Sequence, residues 1–168
     1  MLLRAVNLGS VNKVPMKVWR ERLGELGCTE VATHLQSGQA VLESPLGDAA
    51  LARAVHDDLL EGFGVDTPVL VRSATQVQQV VDGCPWPDVA AAEPTKVHVA
   101  FTDDPPQGWW QDEPERYLPE RAQDGPACVY LLFPDGAGRA RTPAVRGRST
   151  SRNWRTVLAL QALLQPDG

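Results

Sequence analysis

The predicted elements indicate an α+β protein of two tandem ferredoxin-like (βαββαβ-type) subdomains that share a core. Residues 1–73 are predicted to follow the order strand, helix, strand, strand, helix, strand. Residues 74–168 contain a looser version of that order, and the 168-residue chain is 43% apolar and 22% charged, as globular proteins are. A chain of this length can bury a core of its own, so we expect residues 1–168 to form a single compact domain.

Local signals define each element of the first half. Apolar residues at period two predict the first strand, with Leu2, Arg4 and Val6 on one face. Apolar residues at helical spacing predict two helices, and Ser37 and Gly38 predict the turn of a hairpin. In order, the elements are a strand at 2–7, a helix between Pro15 and Gly27, a hairpin of strands 31–36 and 39–43, a helix between Asp48 and Gly64, and a strand at 69–71.

The second half repeats the order less clearly. Ser73 and Gln76 have the spacing of a capping box that begins a short helix. Alternating and β-branched runs predict the strands, and a serine followed by apolar residues at helical spacing predicts a capped terminal helix. The elements are strands at 96–102, 117–121 and 128–133 and a terminal helix over 151–164, capped by Ser151.

An acidic connection crosses the second half at residues 103–124. It holds seven acids, two arginines and four prolines, which predicts a solvated segment with one weak strand. Trp109 and Trp110 within it are interpreted as side chains that anchor a loop on the core.

Charge excludes one broad class of function. The formal net charge of -5 argues against a protein whose whole surface binds polyanions, because such domains usually carry net positive charge. Residues 136–166 are the exception, since they contain six arginines and no acid. This segment leaves room for a local basic site.

Known signatures of chemistry and targeting are missing from the sequence. The three cysteines, Cys28, Cys84 and Cys128, lack metal or redox spacing, so we expect buried thiols, no metal and no cofactor. Phosphate-binding loops, nucleophile elbows and zinc-protease motifs are absent. No apolar run approaches the roughly 18 residues of a membrane span. The sequence predicts a cytoplasmic protein without membrane association, and it leaves open its oligomeric state and whether it is an enzyme.

Two groups of residues are candidates for binding an anion. At the predicted start of the terminal helix, Ser151, Arg152 and Asn153 would combine exposed backbone N–H groups with a cation. In the first half, Arg4 interrupts an apolar row, and a buried cation must be paired or face a ligand. The residues that could join it are Asn7 and Lys13 after the first strand, Ser37 in the hairpin and Arg72 at the end of the fourth strand. Structural ion pairs are the alternative for both groups of arginines.

Six blocks of sequence carry a resemblance to a known family. They are LRAVNLG at 3–9, NKVPM at 12–16, LQSG at 35–38, VLVR at 69–72, VHVAF at 97–101 and TSRNWRTV at 150–157. In this order they resemble the uncharacterised bacterial family catalogued as domain of unknown function 1697. The resemblance implies an α+β fold of two ferredoxin-like subdomains, and it implies no activity, substrate or cofactor.

Several positions depart from the pattern of that family. Ala5 stands where glycine is usual, Ser10 replaces a second glycine, and Gln39 replaces an asparagine. A helix expected before residue 150 is shortened to a stretch that contains arginine, glycine and proline. If the missing glycines serve close approach to a ligand, their loss weakens the case for the same ligand here.

Three functions are compatible with the sequence. We expect first a protein that binds a small anionic ligand, with a phosphate or carboxylate, through arginines and a helix N-terminus. The alternatives are a protein-interaction or structural domain without a ligand, and a weak nucleic-acid-binding module. The last is disfavoured because the predicted strands of the first half contain no aromatic residue on which a base could stack.

Overall fold

The structure of the protein is a computed structural model that describes residues 1–7 and 11–165. It is an α+β protein, and the described part contains two four-stranded antiparallel sheets and six α-helices. The predicted turn residues Gly9 and Ser10 lie outside the described residues. The strands are β1 (Leu2–Leu3), β2 (Thr29–His34), β3 (Gln39–Glu43), β4 (Val69–Leu70), β5 (Val97–Thr102), β6 (Arg121–Gly125), β7 (Cys128–Leu132) and β8 (Ser149–Asn153). The helices are α1 (Met16–Glu25), α2 (Asp48–Phe63), α3 (Ala74–Asp82), α4 (Pro87–Ala92), α5 (Trp109–Asp112) and α6 (Trp154–Leu164), with a 3-10 turn at Pro114–Tyr117.

Two compact units divide the chain. The first comprises Met1–Ser73 with Leu163–Gly168, and the second comprises Ala74–Ala162. The predicted halves were 1–73 and 74–168, so the end of the chain is grouped differently. That residues 1–168 form a single compact domain with a shared core stays a prediction.

The sheet of the first unit has the strand order β2-β3-β1-β4. Its central strand β1 is short, because Ala5 and Asn7 have φ angles of 51° and 55° and left-handed residues break the extended alternation. The prediction of a strand over 2–7 is therefore wrong beyond Leu3. As a consequence Arg4 is exposed, and the predicted row of buried side chains with an arginine in its middle does not form.

The hairpin forms with the predicted second strand, and its first strand lies two residues earlier than predicted. Its turn contains Leu35 and Gly38, whose φ angles are 57° and 73°. Gly38 packs directly under the side chains of Leu3 and Val6, so that a Cβ there would lie 2.9 Å from Leu3 Cβ and closer still to Val6. Only glycine fits this position without strain.

Both helices of the first unit confirm the predicted amphipathic pattern. In α1, Met16, Trp19 and Leu23 are buried, and in α2 the buried residues are Leu51, Val55 and Leu59. These side chains form one apolar cluster with Leu3, Val6 and Val69 of the sheet side. The helices end where Gly27 and Gly64 adopt left-handed backbone angles, as the sequence predicts.

The sheet of the second unit has the strand order β6-β7-β5-β8. The predicted strands 96–102 and 128–133 are confirmed to within one residue, whereas the weak strand at 117–121 is wrong. Pro119 cannot donate to a ladder, so pairing with β7 starts only at Arg121, opposite Leu132.

The terminal helix begins three residues later than predicted. Ser149–Asn153 forms β8, which pairs along its whole length with β5. The side-chain oxygen of Asn153 accepts a hydrogen bond from the backbone N–H of Thr156 at 3.0 Å, so Asn153 and not Ser151 caps α6. The run of serine and threonine is a strand because each residue from 149 to 153 has a register partner in β5.

Replacing Gly38 by alanine should lower the free energy of unfolding by about 2–4 kcal/mol, since it adds left-handed strain to a clash with β1. The matched control is Gly24→Ala in α1, where an added Cβ has nothing within 4 Å. Helix propensity predicts that this control gains up to about 1 kcal/mol. Urea unfolding of both variants measures their free energies of unfolding, and equal unfolding midpoints would contradict the tight packing at Gly38.

Candidate ligand-binding sites in the two units

Asn7 holds together the polar loops of the first unit. Its side-chain amide donates to the carbonyl oxygens of Val14 at 2.9 Å and Gln36 at 2.8 Å. Its side-chain oxygen accepts from the N–H of Val14 at 2.9 Å, and its own N–H donates to Asn12 at 3.0 Å. Asn7 therefore acts here as a positioning residue, with its amide committed to the backbone.

The same loop is closed a second time by Asn12. Its amide donates to the carbonyl oxygen of Ala5 at 3.0 Å, and its φ angle is 50°. Ala5, Asn7 and Asn12 thus place three left-handed residues that are not glycine in one loop. Such residues cluster at ligand clamps and switches because their strain must be held by the surrounding structure.

Arg4 and Lys13 flank this closed loop. Both are exposed, and among residues 1–7 and 11–165 neither has a carboxylate within ion-pair distance. The nearby N-terminus of α1 has no side-chain cap and no acid in its first turn. Exposed cations and an uncapped helix start both favour an anion.

A sequence signal for this site was missed. Residues 1–20 contain Arg4, Lys13, Lys17 and Arg20 and no acid, so the first 20 residues are as one-sided in charge as the arginine-rich segment near the other end. Arg20 is used locally, because it donates to the hydroxyl of Thr33 at 3.0 Å.

The remaining candidates of the first unit make local contacts. The hydroxyl of Ser37 donates to the side-chain amide oxygen of Gln39 at 3.2 Å, and an amide oxygen is not a general base. Arg72 donates to the carbonyl oxygen of Val71 at 2.6 Å. These contacts do not activate Ser37 as a nucleophile.

Ser151, Arg152 and Asn153 lie in the second unit at the end of β8, and of the three only Asn153 lies at the helix start, as the N-cap of α6. Arg152 donates to the hydroxyl of Thr150 and the carbonyl oxygen of Ser151, both at 2.8 Å, and burial lowers its pKa to about 10. Asn153 already caps α6. The structure thus places five predicted site residues in the first unit and these three in the second.

A cavity of about 250 Å³ lies in the second unit between α5, the 3-10 turn and the loop before β8. Sequence reasoning missed it as a site, although Trp109 and Trp110 marked the segment. No helix occurs between β7 and β8 in the described chain, and an irregular loop takes the place that α2 has between β3 and β4 of the first unit. A loop packs less closely than a helix, and the cavity lies against it.

Aromatic rings form one wall of the cavity. Trp109 is 4% exposed, as expected of an anchor on the core, and its ring lies 5.2 Å from that of Tyr117. Trp110 lies edge-on to it at 6.0 Å and donates its indole N–H to Asp124 at 2.9 Å. The indole N–H of Trp109 is buried and has no acceptor among the described residues.

Two ion pairs form the rim of the cavity. Arg146 bonds Asp112 at 3.0 Å, and Arg116 bonds Glu113 at 2.6 Å. All four side chains are more than half exposed, so the pairs contribute little to stability. The backbone N–H of Arg146 donates to Gln107 at 3.2 Å and holds the loop near the start of α5.

The cysteines are free thiols. Cys28 and Cys128 are buried as predicted, whereas the prediction is wrong for Cys84, which is half-buried and whose pKa is raised by this burial. Within residues 1–7 and 11–165 no three histidine, cysteine or acidic side chains form a group that could hold a metal ion. Over the same residues, none of the helices has the length and apolar character needed to cross a bilayer.

Comparison with known proteins assigns the family. Residues 1–130 match the family model described as Protein of unknown function (DUF1697). The chain belongs to this family. No curated protein matches the chain.

The fold is also found in a solved structure of a conserved bacterial protein from Streptococcus pneumoniae. The two chains share 18% identity and a TM-score of 0.72, over 98% of this chain and 96% of that one. At this identity the likeness shows the fold alone.

Asn153→Ala should destabilise the second unit by about 1 kcal/mol, because the N–H of Thr156 loses its cap. Ser151→Ala is the matched control, since the exposed Ser151 precedes the helix and should change stability little. Thermal unfolding of the pair tests this assignment. A larger loss in the serine variant would contradict it.

Two histidines should act oppositely on the pH dependence of stability. Asp66 and Asp57 accept from the ring of His56 and raise its pKa above 6.5, so its stabilising effect is present below pH 6.5 and is lost as pH rises through the folded pKa. Burial lowers the pKa of His98 below 6.5, so protonation of the unfolded chain removes stability as pH falls below that value.

Urea unfolding at pH 5.5 and 8.5 measures both effects. His56→Gln should cost stability mainly at the lower pH, and His98→Gln should lose less stability on acidification than the wild type does. The same pH profile in all three proteins would contradict this assignment.

Proposed function

We propose that the protein binds a small anionic ligand, bearing a phosphate or a carboxylate, at the N-terminal loop of the first unit. The observation that carries the proposal is the pair of exposed cations Arg4 and Lys13 on a loop closed twice by asparagine amides, with Lys13 just before the uncapped start of α1. Asn7 orients this loop. A cytoplasmic location, as the sequence predicts, would give it access to phosphorylated metabolites.

The sequence predicts the N-terminus of the terminal helix as part of the site, whereas we propose the N-terminus of α1. The side chain of Asn153 accepts from one N–H of the first turn of α6, whereas the first turn of α1 has no side-chain cap. The free N–H groups at a helix start carry partial positive charge, and a bound anion offsets it. The geometry therefore favours α1 as the helix that meets the ligand.

We also propose that both units are ferredoxin-like. The orders β2-β3-β1-β4 and β6-β7-β5-β8 are the same when the strands of each unit are numbered in chain order, and all pairs are antiparallel. This supports two copies of one arrangement, the second of which has no helix between its last two strands within the described residues.

A thermal-shift screen tests the ligand. Phosphorylated metabolites, nucleotides, carboxylates and a short single-stranded RNA are each added at two salt concentrations. A ligand at about 100 times its Kd adds about 2.7 kcal/mol. At roughly 2–4 °C per kcal/mol for a chain of this size, the midpoint should rise by several degrees.

Charge-matched variants make the screen specific. Lys13→Gln and Arg4→Gln should each reduce the shift, while Arg53→Gln, an exposed arginine on α2, should keep it. An equal loss in all three variants, or no shift of the wild type by any anion, would overturn the proposal. A shift by RNA alone with a steep salt dependence would point to nucleic-acid binding instead.

A further inference from the structure

The cavity of the second unit combines apolar walls with an equal number of positive and negative groups. Trp109 and Tyr117 supply aromatic surface, and Pro143 and Ala144 supply aliphatic surface. The charged groups at its rim are two arginines and two acids. This site shares no residue with the loop of the first unit, so the inference does not depend on the function proposed above.

Size limits what the cavity can hold. Its volume of about 250 Å³ equals that of about eight water molecules at about 30 Å³ each. A ligand that fills it has about eight to ten non-hydrogen atoms by the same measure. The space inside the rim is the size of a small metabolite.

The buried indole N–H of Trp109 lacks an acceptor within the described chain. A buried donor without an acceptor costs about 1–3 kcal/mol, and most buried polar groups in native structures are satisfied. Trp109 lines the cavity, but this nitrogen is buried, so a ligand in the cavity would contact the ring and not the N–H. Trp109 therefore offers the ligand an apolar surface.

The rim favours a ligand that carries both charges. Arg146 and Arg116 each use one guanidinium N–H on an acid, which leaves donors of the planar fork for a carboxylate. Asp112 and Glu113 each retain oxygens that can accept from an ammonium group. A simple anion would meet these two acids and the net negative connection at 103–124, and a simple cation would leave both arginines without a new partner.

We propose that this cavity binds a free α-amino acid with a compact apolar side chain. The carboxylate bonds Arg146 and Arg116, the ammonium group bonds Asp112 and Glu113, and the side chain lies against Trp109 and Tyr117.

Three probes with similar branched carbon skeletons test whether the ligand needs both a carboxylate and an ammonium group. They are L-leucine, 4-methylpentanoic acid, which lacks the ammonium group, and 3-methylbutylamine, which lacks the carboxylate. Titration calorimetry should detect binding of L-leucine and at least tenfold weaker binding of the other two, because each loses its charge-assisted hydrogen bonds. Equal binding of the acid, equal binding of the amine, or no binding of L-leucine would each overturn the proposal.

Variants of the exposed rim keep the test independent of folding. Arg146→Gln and Asp112→Asn should each weaken L-leucine binding by about tenfold or more, since each removes one charged partner. Arg148→Gln is the matched control, because Arg148 lies two residues away on the same loop, pairs with Asp103 at 3.8 Å and does not line the cavity. The Arg148→Gln variant should bind L-leucine with the affinity of the wild type, and so should the Lys13→Gln variant of the first unit. An equal loss in Arg148→Gln and Arg146→Gln would overturn the assignment of the rim.

Discussion

The left-handed turn of the chain directly after β1 is the constraint on which the first unit depends. It ends the central strand after two residues, and the side chain of Asn7 then replaces the ladder by bonding the backbone of Val14 and Gln36. This one amide fixes the start of its own loop, the segment before α1 and the distant hairpin turn. The exposed positions of Arg4 and Lys13, the start of α1 and the fit of Gly38 under β1 all follow from it.

Sequence patterns predicted the elements with a strong apolar signal. Helices α1 and α2 have periodic buried faces, strands β5 and β7 are nearly continuous buried runs, and the bounds of these elements and of β3 were found to within one or two residues. The wrong predictions concern segments whose structure depends on a backbone angle or on pairing with a distant strand. Neither the left-handed angle of Ala5 nor the pairing of Ser149–Asn153 with β5 is encoded in local composition.

The candidate sites were less predictable than the fold for the same reason. Arg152 and Asn153 were selected on the assumption of a helix start at residue 151, whereas both lie on a strand and only Asn153 reaches the helix, as its N-cap. Arg4 was selected for burial that it does not have, and it remains a candidate because it is exposed. The cavity depends on the packing of a loop whose path no periodicity describes, so only the paired tryptophans hinted at it.

Each sheet is completed by the last of its own strands. Leu2 pairs with Leu70, and His98 pairs with Asn153, so a central strand made early acquires its second neighbour only when a distant segment arrives. Long-range pairing of this kind slows folding and prolongs the exposure of strand edges. During synthesis on the ribosome, the apolar β5 therefore has one open edge until residue 153 has emerged. A chain that terminates before Ser149 would offer that edge permanently to a second copy, which is the usual start of aggregation through sheet edges.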